Sequence, residues 1–393
     1  MFFSRSVFCL LVGLFANNVA AITTTNAEAA YSTLMQWYNT SNGLWVPSTG
    51  WWNSANCLTV VADLAAIDPT VKSEASTIWQ NTLTNAQAYN QHQQKVMGAA
   101  MLMTTVQGST QSASTSGFLN GYYDDEGWWA LAWIAVYDLT GNVQYLNTAV
   151  SIFNDMYSAY GTTPCGGIWW DKAHTYVNAI ANELFLSVAS HLANRVSGKK
   201  SYYVSIAKAQ WAWFQHSGLI NSEHLINDGL TTSTCKNNGE TTWSCESSYV
   251  YPIYALKLTL HTDNQGVILG GLVELNKASP NSSYISTAQA IADAAISHLT
   301  DSNGILHDSC EPNCGSDGSQ FKGVFARNLQ ILQKAAGKSG YATFLQTNAD
   351  AIWQDDNQNG KLSVVWSGPY VSPANASTQS SAMDAIVGAL AVA

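Results

Sequence analysis

The sequence predicts an all-α protein built of six helical hairpins, and three observations lead there. Apolar residues recur at spacings of three and four in twelve segments, the pattern of helices with one buried stripe. Strand-like alternation is scarce, which argues against a βαβ or sandwich layout. The connections are uneven, with short turns alternating with long Gly-, Ser- and Trp-rich stretches at 101–121, 159–172 and 301–318. Long loops gathered at one end of a helical ring would build a cleft there. Six hairpins around an axis make an (α/α)6 toroid, and a curved open solenoid satisfies the same periodicity. The hairpins are too unevenly spaced for a regular repeat array.

The predicted helices run in order as follows. Segments at about 25–38, 52–66 and 71–90 are divided by the turn residues Ser41-Asn42-Gly43 and Asp68-Pro69. Segments at about 123–139 and 143–158 flank Thr140-Gly141-Asn142, and those at about 175–197 and 201–216 flank Gly198-Lys199-Lys200. The last five lie at about 264–278, 283–300, 319–336, 340–356 and 378–391, with Gly337-Lys338-Ser339-Gly340 between two of them.

Ahead of the first helix, Arg5 precedes an apolar run from Val7 to Phe15 and then Asn18-Val19-Ala20-Ala21. This reads as a secretory signal peptide, residues 1–21, leaving 22–393 as a single domain of an extracellular protein. The apolar run is too short to span a bilayer, and the mildly apolar C-terminal residues 383–393 carry Asp384 and lack a lipid-anchor pattern, so no stable membrane insertion is expected. Only 11% of residues are charged, the formal net charge is −10, and there are 15 Trp and 18 Tyr. That balance excludes a nucleic-acid partner. Sequons at Asn39, Asn281 and Asn375 are candidate glycan sites. Beyond the signal the cysteines are Cys57, Cys165, Cys235, Cys245, Cys310 and Cys314, which secretion favours as disulfides. Cys310 and Cys314 can close a small loop; the other pairings are open.

The stretch with most chemistry is Tyr122-Tyr123-Asp124-Asp125-Glu126-Gly127-Trp128-Trp129. Acids ahead of a helical run can simply stabilise its N-terminus. Two carboxyls among aromatic rings are also what cleavage of a sugar linkage needs: one protonates the leaving oxygen, the other attacks the anomeric carbon. Neighbouring helical residues do not face each other, so a working pair belongs at the irregular helix entrance. Gly166-Gly167-Ile168-Trp169-Trp170-Asp171 places two rings after a flexible turn, in a groove or in the core, and Trp51-Trp52-Asn53 repeats the theme. Asn178 and Asn182 share a helix face, where they bind hydroxyls or bond within the fold. Asn264-Gln265-Gly266 stand before an apolar run as caps or sugar contacts, and Arg327 needs a carboxylate partner if buried. A serine-esterase elbow, a zinc-protease His pair and a phosphate loop are missing from the sequence. Asp355-Asp356-Asn357 opens like a calcium loop, but Trp366 stands where the bidentate Glu belongs, so a polar turn is expected.

Together these segments resemble glycoside hydrolase family 76, the endo-α-1,6-mannanases. The resemblance rests on residues 122–133, 166–171, 178–185, 264–272 and 321–329, in one order over nearly the whole mature chain. It implies an (α/α)6 barrel, a retaining mechanism, and neither metal nor cofactor. It implies further that Asp124 is the nucleophile and Asp125 the general acid/base, at the carboxyl separation of about 5–5.5 Å that covalent catalysis uses. Tyr123, Trp128, Trp169, Trp170, Asn182, Asn264 and Gln265 are the expected substrate contacts. The expectation is therefore a secreted, monomeric endo-α-1,6-mannosidase acting on mannan. A wall-mannan transglycosidase and a non-catalytic mannan-binding protein are the alternatives.

One departure stands out. Where the family would read Trp-Ser-Tyr-Asn-Gln-Gly, this chain has Trp243-Ser244 and Asn264-Gln265-Gly266 separated by residues 245–263. Codons for Cys245-Glu246-Ser247, Leu258-Thr259 and Thr262-Asp263 can spell a splice donor, a branch sequence and an acceptor. In-frame excision would leave a tyrosine codon at the junction, so 245–263 is read as a translated intron; the alternative is a genuine insertion beside the cleft.

Overall fold

The computed structural model describes residues 21–89, 117–239 and 261–393. Among them lie twelve α-helices: α1 (Thr24–Met35), α2 (Trp51–Ile67), α3 (Pro69–Asn85), α4 (Tyr123–Thr140), α5 (Val143–Ser158), α6 (Ala179–Ala193), α7 (Lys200–His216), α8 (Thr262–Ala278), α9 (Ser282–His298), α10 (Gly315–Ala336), α11 (Ser339–Asp355) and α12 (Ala376–Val392).

Most of the turn chemistry expected from the sequence is in place. Gly141 and Gly337 end α4 and α10 in the left-handed region, which glycine enters without steric cost. Asn142 then caps α5 through the Gln144 N–H. Asp68 closes α2 and accepts from the Thr70 and Val71 N–H groups at the start of α3, with Pro69 in the first turn where no N–H is needed.

The even-numbered helices pack against one another in sequence, α2 on α4, α4 on α6, α6 on α8, α8 on α10 and α10 on α12, and α12 returns to α2. That last contact closes the ring and excludes an open solenoid; the fold is an (α/α)6 barrel. The odd-numbered helices form the outer layer, each packed on an inner neighbour. Inner helices such as α8 and α12 are buried over nearly their whole circumference, and glycines allow the close approach this requires. A Cβ on Gly323 would fall 2.5 Å from the Ser381 Cα, and one on Gly266 2.7 Å from the Phe325 Cα.

Because hairpins alternate in direction, the inner helices run parallel and their N-termini meet at one end. Contacts there join three of them, α2, α10 and α12: Trp52 Nε1 donates to Asp317 at 2.8 Å, Asn53 Nδ2 to the Ser316 carbonyl at 3.4 Å, and the Ser377 hydroxyl lies 3.3 Å from the Gln320 side chain. The long connections preceding α6 and α10, and residues 117–122 before α4, open at this end. Short strands decorate it: β1 (Val177–Asn178), β2 (Gly229–Thr231) and β3 (Lys236–Asn237) form an antiparallel sheet. The hairpin of β4 (Asn357–Gln358) and β5 (Lys361–Leu362) makes the polar turn expected there.

The expected Cys310–Cys314 disulfide is present, a second joins Cys165 to Cys235, and Cys57 is free and buried. The predicted signal peptide at 1–21 lies outside the described residues except for Ala21, as do 245–260 of the predicted intron, whereas 261–263 begin α8. No helix among the described residues is long and apolar enough to cross a membrane.

Candidate active site

Asp124, Asp125 and Glu126 occupy the first turn of α4 and are all buried. Three adjacent carboxyls at one helix end demand compensation, and the helix N-terminus itself supplies part of it. Local donors supply more. Trp170 Nε1 donates to Asp124 Oδ2 at 3.1 Å, and Asn120 Nδ2 donates to Asp125 Oδ2 at 2.7 Å. Glu126 turns elsewhere: its Oε1 accepts the Asn120 N–H at 2.8 Å and meets Lys172 Nζ at 2.6 Å, and Lys172 also reaches Asp155 of α5 at 2.7 Å. Burial pushes the Glu126 carboxyl up against the opposing pull of Lys172. Successive helical residues differ by about 100° in direction, so this division of partners follows from α4 itself.

The loop leading to α6 is strapped onto the entrance of α4. The Tyr123 N–H donates to the Trp170 carbonyl at 2.9 Å, the Lys172 N–H to the Gly121 carbonyl at 2.9 Å, and Trp170 N–H to the Tyr176 carbonyl at 2.8 Å. Asn182 braces the same loop, accepting the Ile168 N–H at 2.9 Å and donating to the Ile168 carbonyl at 3.0 Å. A Cβ on Gly167 would meet Asn182 Oδ1 at 2.3 Å, so the Gly-Gly turn is needed for this approach. The Cys165–Cys235 disulfide pins the loop to the β2–β3 hairpin, and Tyr176 donates to Asp228 at 2.6 Å.

An arc of rings crosses the same end. Trp128 stacks on Trp52 at 5.6 Å, Trp52 on Phe321 at 6.3 Å, and Phe321 meets His261 at 5.0 Å. Beyond it, burial pushes Asp263 well up, with Asp308 and Asp228 adding to the rise, and raises Asp308 to about 7. Such a surface offers flat apolar faces, two adjacent carboxyls and further hydrogen-bonding groups. Among the described residues no group of three or more His, Cys, Asp or Glu is placed to hold a metal ion.

The site residues predicted from sequence fall into two sets. Asp124, Asp125, Trp128 and Trp170 converge at the entrance of α4. Asn264 is buried in the first turn of α8, its side chain making no hydrogen bond among the described residues. Trp169 stacks on His174 at 5.0 Å. Three of the expected substrate contacts also touch groups of the fold. Tyr123 turns toward α5 and lies beneath Lys172, while its neighbour Tyr122 faces Trp170 at 4.9 Å. Asn182 and Gln265 are fully buried, and their amides are committed to the fold: Gln265 bonds both the N–H and the carbonyl of Ile226. Asn178 likewise caps α6, and Arg327 pairs with Asp384 at 3.2 Å deep in the barrel. Sequence reasoning missed Asn120, His261 and the Tyr176–Asp228 pair, of which only Asn120-Gly121, a turn dipeptide, carried a signal; Tyr122 and Phe321 lay inside the motifs but were not singled out as contacts.

Comparison with known proteins agrees with this fold. The sequence profile of glycosyl hydrolase family 76 matches residues 17–393. A Schizosaccharomyces pombe relative is 26% identical over 247 residues, covering 58% of this chain and 51% of the relative. The Saccharomyces cerevisiae mannan endo-1,6-alpha-mannosidase DFG5 is 22% identical over 254 residues, 60% and 51% respectively. The chain thus spans about half the length of the curated relatives it matches. Among solved structures, an inactive variant of the alpha-1,6-mannanase GH76A of Salegentibacter sp. HEL1_6, in complex with alpha-1,6-mannotriose, superposes with a TM-score of 0.71 at 17% identity, covering 94% of this chain and 99% of that one. That variant carries asparagine at two adjacent aspartates.

Proposed function

The chain belongs to glycosyl hydrolase family 76, and on that premise we propose that it is a secreted, retaining, endo-acting α-1,6-mannosidase that cuts mannan backbones. The observation that carries the reading is the Asp124–Asp125 pair at the open end of the barrel, each carboxyl held by its own neutral donor beside an aromatic arc. The solved mannanase rendered inactive at two adjacent aspartates supports giving this pair the chemistry.

In the proposed first step, Asp124 attacks the anomeric carbon while that carbon's bond to the leaving oxygen breaks. Asp125 gives its proton to that oxygen. In the second step a water yields a proton to Asp125, its oxygen bonds the anomeric carbon, and the bond to Asp124 breaks. The ring stack holds sugar C–H faces and keeps bulk water from the intermediate.

The test is product analysis on linear α-1,6-mannan. Short oligosaccharides of retained anomeric configuration are expected. Asp124→Asn and Asp125→Asn should each lower turnover by about 10³-fold or more without shifting the thermal melt. Wild-type-like turnover in either variant would remove the assignment. Elongated products with little free reducing sugar would mean a transglycosidase, and binding without any product a non-catalytic protein.

A further inference from the structure

We infer that the tyrosine cluster on α5 and α7 is a second carbohydrate-binding surface, outside the cleft, that holds another stretch of the polysaccharide being cut. The inference rests on the reading of α-1,6-mannan as the substrate. Among the described residues four large apolar side chains are exposed, Ile67, Val143, Tyr157 and Tyr202, and two of them adjoin each other. The Tyr157 ring lies near-parallel to that of Tyr160, with centroids 5.9 Å apart and planes at 14°. Tyr202 meets Tyr157 at 6.2 Å and 67°, so two near-parallel rings have a third set across them. Behind them Phe153, Phe185 and Tyr203 form a buried aromatic base. Tyr157 stacks on Phe153 at 5.9 Å, Tyr160 on Phe185 at 5.4 Å, and Tyr202 meets Tyr203 at 5.0 Å. Rings fixed in this way lose little freedom when a ligand settles on them.

Charge, size and continuity choose the occupant. Burial, and then Tyr157, raises the Tyr160 and Tyr202 hydroxyls, and no charged side chain among the described residues acts on either, Lys199 and Lys200 at the head of α7 included. Asp155, two residues before Tyr157, is paired with Lys172 at 2.7 Å. Asn154 and Ser205, a helical turn from Tyr157 and Tyr202, are exposed, neutral and able to hydrogen-bond hydroxyl groups. A neutral, hydroxyl-rich chain matches such a surface, and a strongly charged partner does not. Tyr157 and Tyr202 are 38% and 42% exposed. At about 200 Å² per side chain they present on the order of 150 Å². A stable protein interface buries about 800 Å² on each partner, so the patch is too small for one and fits a few sugar rings. Tyr160 also leads straight into the loop that carries Trp169 and Trp170, where the Gly161 N–H bonds the Gly167 carbonyl at 2.9 Å. A polymer held in the cleft extends beyond it, and a second contact on the same chain raises its effective concentration at the site.

The experiment compares Tyr157→Ala, Tyr202→Ala and wild type in two ways. One is kcat and KM on linear α-1,6-mannan and on a short α-1,6-linked oligosaccharide. The other is retardation in native gels cast with the same mannan. KM on the polymer should rise by about 5- to 10-fold in each variant with kcat unchanged, and kinetics on the oligosaccharide should stay at the wild-type values. Retardation in the gel should weaken in step. Tyr202 is the more exposed ring, so Tyr202→Ala carries the test even where Tyr157→Ala fails to fold. Tyr202→Trp, which keeps a flat face, should hold KM near the wild-type value. Wild-type KM and wild-type retardation in Tyr202→Ala, with mannan still cleaved, would overturn the inference and leave the mannanase reading standing. Retardation that depends on Tyr202 in a protein that cleaves nothing would remove the mannanase reading and keep the binding surface. A wild type that is neither retarded nor active would overturn both. A wild-type dimer that Tyr202→Ala splits into monomers on size exclusion would assign the patch to a second copy of the chain and overturn the inference as well.

Discussion

Asp124 and Asp125 are neighbours in the chain and equally buried, and nothing in their own chemistry makes them different. Among the described residues their donors differ: an indole N–H for Asp124 and an amide for Asp125. Trp170→Phe keeps most of the ring and removes the N–H that Asp124 Oδ2 accepts at 3.1 Å. Turnover of α-1,6-mannan should fall by about 10-fold with the thermal melt unchanged. Wild-type turnover in this variant would show that the indole contributes packing only. The pair was legible in the sequence because its acids and rings are contiguous. Its donors were less so: Trp170 lies 46 residues from Asp124 and was read as a sugar platform. Asn120 looked like any residue of a turn.

At the scale of elements, all twelve helices were legible, because each carries its own apolar stripe and most are bounded by Gly, Pro or Asn with a definite backbone task. The edges that moved did so for tertiary reasons. The predicted helix at 175–197 begins at Ala179, since Val177 and Asn178 are drawn into pairing with β2. The start of α10 at Gly315 precedes the apolar stripe, which begins only at Phe321. The entrance of α8 bears on the proposed intron. If residues 245–263 are replaced by a single Tyr, then Trp243, Ser244 and that Tyr take the positions of His261, Thr262 and Asp263. Serine keeps a hydroxyl for Asp308, which Thr262 now supplies at 3.1 Å, and Trp keeps a ring against Phe321. Tyr removes Asp263, a buried acid that adds to the rise burial already imposes on the Glu183 carboxyl. Relieving such a buried acid is worth about 1–3 kcal/mol. The replaced chain should therefore melt a few degrees higher and turn over α-1,6-mannan faster. A lower melt together with lost turnover would show that 245–263 belongs to the fold.

The closed ring also sets a property of the whole molecule. Closure of α12 onto α2 buries polar groups that an open solenoid would leave in water, and several are acids. Burial raises Asp308 and Asp356 to about 7, and Asp384 to about 8 even with the Arg327 guanidinium 3.2 Å away. The Glu311 hydrogen bond raises His307 above its ordinary value. Each of these groups binds protons more tightly folded than unfolded, so each withdraws stability as pH climbs from its unfolded to its folded pKa. Burial lowers His191 and His261 to about 4, with the opposite sign, but their effect is complete by the ordinary histidine value of 6.5. Below that pH the two sets oppose each other; above it only the first remains. Stability should therefore fall between pH 6.5 and 8, by on the order of 2 kcal/mol. Thermal melts across that range at constant ionic strength measure it directly. A flat or rising melting temperature would mean that these carboxyls are already ionised at pH 6.5, with the buried cations Arg327 and Lys322 outweighing desolvation. The distinction matters for the active site as well. A barrel that keeps its buried acids protonated near neutral pH is a low-dielectric one. In such a setting each N–H that an aspartate of the pair accepts contributes more than it would in water.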